Sequence, residues 1–164
     1  MNERQYAAKT WLNRNYALWC EIRQLKARRE VLLADINGGV APYRAKETQN
    51  DATKAQARTE DMRLAYSELC DLIDRRINEI NREDSDTLKV IDKLPDATER
   101  AILIARHINY LPWARVTESL PWARASVFRY YRKALDRVYT LLYADIDNAY
   151  IQIYGGDKTP HIKY

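Results

Sequence analysis

The chain is poor in the residues that punctuate or cross-link a fold. Its 164 residues include four Gly, five Pro, two Cys, two His and a single Phe. So few Gly leave no glycine-rich loop to cradle a phosphate. Cys20, Cys70, His107 and His161 are scattered, which provides no cluster at metal-ligand spacing. No nucleophile sits in a recognisable pattern with a base. An enzyme is therefore not expected, nor a cofactor, metal or small-molecule substrate. The two cysteines, fifty residues apart, fit a reducing compartment and are expected to be buried free thiols. No apolar run approaches the roughly 20 residues that span a bilayer. Met1–Gln5 leads into no apolar signal core, so neither insertion nor export is expected. Alternation of apolar and polar residues is also missing; the nearest approach to a strand is the short stretch Ala149–Tyr154.

What is abundant favours helix. Ala, Leu, Arg, Lys and Glu are frequent, and all are good helix formers, so an all-α fold is expected. Trp11, Leu18, Ile22, Leu25, Leu32 and Ile36 follow the spacing of a coiled-coil seam, which predicts one long helix over Glu3–Ala34. Asn15 and Arg29 fall at seam positions, where polar residues fix register or partner number. Asn37-Gly38-Gly39 supplies a stop. Val40–Thr59 loses the apolar period and reads as a loop, with room for a helical turn near Asp51–Arg58. Met62, Tyr66, Leu69, Ile73, Ile77 and Ile80 predict a second long helix over Glu60–Arg82, and Arg82–Asp86 a polar break or restart. The seam can pair within the chain, as an antiparallel hairpin, or with a second copy. Glu79, Glu83, Asp84 and Asp86 read as solvated helix faces rather than a catalytic pair.

After Pro95 the pattern changes. Asp96 and Glu99 are placed to form a capping box, opening a helix with Ala101, Ile102, Ile104, Ala105 and Ile108 inside. The pentapeptide Leu-Pro-Trp-Ala-Arg then occurs twice, at Leu111–Arg115 and Leu120–Arg124. Nine residues is about one short helix plus a tight turn, the spacing of a bihelical DNA-binding unit. Each Pro can sit in the first turn of its helix, and each Trp can fold onto a shared core. The supporting helix is expected over Trp113–Ser119. The reading helix should start at Trp122 and run to Thr140 or Asn148, with Val127, Tyr131, Ala134, Leu135, Val138 and Leu142 inward. The flanks are basic. Between Arg106 and Thr140 seven Arg and Lys face two Glu and Asp, a local charge of +5 in a chain whose total is +4. Positive charge gathered in one stripe attracts phosphate.

The stretch from Leu94 to about Leu142 resembles the fourth region of bacterial sigma factors. The residues that carry the likeness are Glu99-Arg100, Trp113, Val116, Leu120, Val127 and Arg132-Lys133-Ala134-Leu135. Two positions depart from that pattern: Ala123 stands where a Ser or Thr cap is usual, and Thr117 where Ala is common. With long helices in front, the chain is similar to small phage-encoded late-gene regulators of the ArpU and RinA type. The resemblance implies a long N-terminal helical hairpin over residues 1–92, a helix-turn-helix domain over 93–150, and a C-terminal tail over 151–164. It implies a sequence-specific, DNA-binding transcriptional regulator in the cytoplasm of a bacterial host. Such a protein would activate phage genes through contact with RNA polymerase, as a homodimer. Arg124 and Arg129 are the candidates for guanine contacts, because a guanidinium fork matches the two guanine acceptors. Ser126 or Tyr130 would bond a base or phosphate, and Trp122 joins them at the start of the reading helix. Phe128 would touch a thymine methyl or pack on the neighbouring helix. Arg115, Arg132 and Lys133 would bind phosphates. His107 is expected to be packed or phosphate-facing. The competing reading is a small terminase-like or other packaging or recombination accessory protein, which combines the same two parts in a ring; a third is a protein-binding helical adaptor.

Overall fold

The computed structural model describes the backbone of residues 1–38 and 49–154, with side chains over 1–37 and 53–143. Every regular element among the described residues is a helix, with no strand among them. In order they form α1 (Glu3–Leu12), α2 (Tyr16–Gly38), α3 (Gln49–Asp92), α4 (Ala97–Leu103) running into a single π turn (Ile104–Ile108), α5 (Trp113–Glu118) and α6 (Arg124–Tyr154). Ala149–Tyr154, the nearest approach to a strand in the sequence, lies in α6. The tail beyond it, including His161, lies outside the described residues.

The chain divides into two compact units. One joins Met1–Tyr16 to Glu83–Tyr164; the other is Ala17–Arg82. The division expected near residue 93 is therefore displaced, because the first helix belongs with the C-terminal third. α1 packs along α6. Its entry is fixed by a reciprocal cap: Asn2 accepts from the Gln5 N–H at 2.8 Å, and Gln5 Oε1 accepts from the Asn2 N–H at 3.2 Å. Gln5 Nε2 then reaches across to Asp136 at 2.9 Å.

The single helix expected over Glu3–Ala34 is instead broken at residues 13–15. The cause is three polar side chains with tertiary partners. Asn13 Oδ1 lies 3.0 Å from His107 Nδ1. Arg14 donates to the side chain and the carbonyl of Glu83, both at 3.2 Å. Asn15 is buried and donates to Asp84 at 3.0 Å. Polar side chains that find such partners compete with helical continuation. Asn15 thus fixes the break rather than a coiled-coil register. Glu83 accepts from Arg14 yet stays on the solvated face, as do Glu79 and Asp86, whereas Asp84 is half-buried and accepts from Asn15 and Tyr110.

The expected break at Arg82–Asp86 is absent, since α3 runs unbroken through it. The predicted loop over 40–59 is also shortened, because α3 starts at Gln49; Gly39–Thr48 lie outside the described residues. In the unit Ala17–Arg82, α2 and α3 run antiparallel. Glu21 pairs with Arg76 at 2.9 Å, and Arg29 lies near Tyr66 and Cys70. Ile22, Leu32, Ile73 and Ile80 are the buried members of the seam; Leu18, Leu25, Met62, Tyr66, Leu69 and Ile77 are half-buried. Two helices alone cannot enclose a full core. Cys20 and Cys70 are free thiols, half-buried rather than buried.

The other unit has a closed core. Leu12, Ile91, Leu94, Ile102, Leu103, Val116, Val127, Leu135 and Val138 are at most 1% exposed. Each such side chain contributes about 1.5–3 kcal/mol relative to exposure. Leu103 takes the inward place expected for Ala101, which is exposed. Asp96 caps α4 by accepting from the Thr98 N–H at 2.8 Å, and this bond holds its carboxyl below the usual carboxylate range. Glu99 does not complete the box. It is fully buried and binds Arg137 on α6 at 2.7 Å, with Lys133 at 3.6 Å.

Candidate nucleic-acid interface

The π turn and the residue after it position the candidate interface. The Asn109 N–H closes on the Ile104 carbonyl and that of Leu111 on Ala105. Tyr110 takes a left-handed φ of 53°, which costs a non-Gly residue about 1–2 kcal/mol. Its side chain holds it there: the ring is buried and the hydroxyl donates to Asp84 at 2.9 Å. The Arg106 guanidinium donates to the Leu111 carbonyl at 2.8 Å. The chain therefore leaves α4 in a fixed direction and delivers α5.

α5 is short, with Val116 buried beneath it. Pro112 sits at the N-cap rather than inside the first turn. Trp113 is half-buried, its ring 4.7 Å from both Phe128 and Tyr131. Thr117 turns its hydroxyl back onto the Trp113 and Ala114 carbonyls, so the hydroxyl on this inner position is satisfied. Beneath Tyr131 lies His107, 2% exposed. Its Nδ1 faces Asn13 Oδ1, and its Nε2 lies 3.2 Å from the Tyr131 hydroxyl. An amide oxygen only accepts, so Nδ1 carries the proton and Nε2 accepts from the tyrosine. Burial, then Arg106 and Lys9, push the imidazole down to about 3. Burial also pushes the Tyr131 phenol up to about 12. His107 is a packed, neutral joint between α1 and α6, not a phosphate ligand.

α6 starts at Arg124, two residues later than expected. The Ala123 carbonyl accepts its first helical bond, from Val127 at 3.1 Å. Trp122 and Pro121 lie in the preceding bend, outside the helix. Trp122 does not fold onto the core; it is 38% exposed, its ring 6.0 Å from Tyr130. The inward face is as expected, with Val127, Tyr131, Ala134, Leu135 and Val138 all buried.

The exposed surface of α6, including its first residue, carries the candidate contacts. Arg124, Arg129, Arg132 and Lys133 are exposed. No acidic residue occurs between Glu118 and Asp136. Among the described residues, Arg124, Arg129 and Arg132 have no carboxylate in ion-pair reach; Lys133 shares Glu99. The Arg124 guanidinium stands 5.7 Å from the Phe128 ring centroid, and that of Arg129 5.6 Å from Tyr130. Ser126 and Tyr130 are half-exposed at the edge of this face. Phe128 is half-buried against Trp113, which is the packing alternative. Arg115 stands apart on α5 and pairs weakly with Glu118 at 3.4 Å, both ends well exposed. The sequence reading missed Glu99 and Arg137. The signal available was a carboxylate beside an otherwise apolar stripe, facing a cation three turns into α6.

No helix among the described residues is long and apolar enough to cross a membrane. Nor do the described residues contain a His, Cys, Asp and Glu group able to hold a metal. Compared with known proteins, the chain matches no family model, no curated sequence and no solved structure.

Proposed function

We propose that this chain is a sequence-specific DNA-binding regulator of transcription, in which α5 and α6 act as a helix-turn-helix and α2 with α3 as a helical hairpin for contact with a partner. The reading rests on one observation above all. The first three turns of α6 present Arg124, Arg129, Arg132 and Lys133 with no acid interleaved. The inner side of the same helix is anchored on a closed core. A rigid rod whose exposed surface carries cations and no acid suits the major groove of a duplex. Arg124 and Arg129 would reach base edges; Arg132, Lys133 and Arg115 would hold phosphates. The incompletely enclosed α2–α3 seam supports a partner there, either a second copy or RNA polymerase.

The test is binding of a labelled duplex across a salt series. Three phosphate contacts would give a slope of log affinity on log salt of about −2.7. Arg132→Ala should lower that slope by about one on every sequence. Affinity indifferent to salt would refute the proposal. Selection of bound genomic fragments then separates regulation, with sites upstream of a gene block, from packaging, with a site beside a packaging gene.

A further inference from the structure

One side chain on this face is a poor phosphate ligand. Trp122 carries no charge, and paired bases hide their ring faces inside the stack. Yet its indole is held at the surface, in the bend before α6, with 38% of its area open. Tyr130 backs it at 6.0 Å, and Tyr130 is in turn braced by the Arg129 guanidinium at 5.6 Å. The Trp122 indole and the Arg129 guanidinium therefore both rest on the Tyr130 ring. On another side of α6, Phe128 is capped by Arg124 at 5.7 Å and seated on Trp113 at 4.7 Å, so it takes no part in this platform. An exposed ring with a cation close by suits a strand whose phosphates meet cations while a base stacks on the ring. Only an unpaired base offers such a face. The neighbouring cations of α6 would hold the adjoining duplex.

We infer that Trp122, backed by Tyr130 and Arg129, is a stacking platform for an unpaired nucleobase at the edge of a bound duplex. The inference rests on the DNA-binding reading above. The ligand class is thus duplex DNA interrupted by an unpaired base, such as a bulge or the border of a melted segment. A stacked base strengthens binding on the order of ten-fold.

The experiment compares three labelled probes with the full chain by fluorescence anisotropy: a fully paired duplex, the same duplex with one bulged adenine, and the bulged strand alone. The native chain should prefer the bulged duplex to the paired one by about ten-fold. Trp122→Ala should weaken bulged-duplex binding about ten times more than paired-duplex binding, and Trp122→Tyr should keep most of the preference. Circular dichroism confirms that both variants remain helical. Equal losses on paired and bulged probes, or a preference that survives Trp122→Ala, would overturn the inference and leave the duplex reading standing. Tighter binding to the strand alone than to the bulged duplex would overturn the requirement for adjoining duplex. Failure of the native chain to bind the paired probe at low salt would instead overturn the DNA-binding reading itself.

Discussion

The pentapeptide at Leu111–Arg115 and its copy at Leu120–Arg124 have identical residues and different fates. In the first, Pro112 caps a helix, and Trp113 opens that helix and sits against Phe128 and Tyr131. In the second, Pro121 and Trp122 stay in the bend, and helix begins only at the Arg. Local preference cannot separate the copies, because it is the same in both. What differs is the surface each one meets. The first copy lies over rings supplied by the following helix, which in turn rest on His107. The second leans on Tyr130 at the surface. One tryptophan becomes structure, and the other is left available.

The sharpest way to break this comparison is to delete each indole. Trp113→Ala should cost about 3 kcal/mol of unfolding free energy, because it empties a ring-lined site. Trp122→Ala should cost less than about 1 kcal/mol. Urea unfolding of the two variants decides it, and equal losses would mean that the copies are equivalent after all.

Acid probes the support beneath the first copy. His107 is held down to about 3 from 6.5 by burial, so the unfolded chain takes up a proton at higher pH than the folded one. Stability is therefore full above about pH 6.5 and falls as pH drops toward 3, by up to about 1.4 kcal/mol per pH unit. Asp86 and Asp96, both held below their ordinary range, add a further loss only at lower pH. His107→Gln should be less stable at neutral pH but flat between pH 6.5 and 5. A slope there as steep as the native one would assign the effect to another group.

The arginines of the two copies should also part company on DNA. Arg124→Ala is expected to cost about 1–3 kcal/mol on the preferred site and to relax preference at one position. Arg115→Ala should lose a smaller amount uniformly across sequences. Parallel titrations on a selected and a scrambled duplex check this; interchangeable behaviour would erase the distinction. The smallest effect belongs to the pair Arg115–Glu118. With both partners largely in solvent, Glu118→Gln should change stability by no more than about 0.5 kcal/mol. A larger loss would show α5 depending on that pair rather than on Val116.

Much of this architecture was legible from residue order. The helical class, the boundary at Pro95, the extent of α5 and the inward face of α6 all follow from period and turn residues. The legible part of the candidate interface was its charge, since no acid stands between Glu118 and Asp136. The break at residues 13–15 was not legible. Asn13, Arg14 and Asn15 continue a helical pattern until His107, Glu83 and Asp84 arrive from elsewhere in the chain. The same holds for Glu99, which reads as a cap until Arg137 draws it inward.

Sequence alone determined which residues turn inward along α6 and where cations gather, because periodicity and charge are local properties of the chain. Tertiary structure alone decided that α1 docks on α6, that α3 runs through its polar stretch, and which of two identical pentapeptides keeps its tryptophan in solvent. Those outcomes depend on partners distant in sequence, and a polar or aromatic side chain settles wherever a matching surface comes within reach.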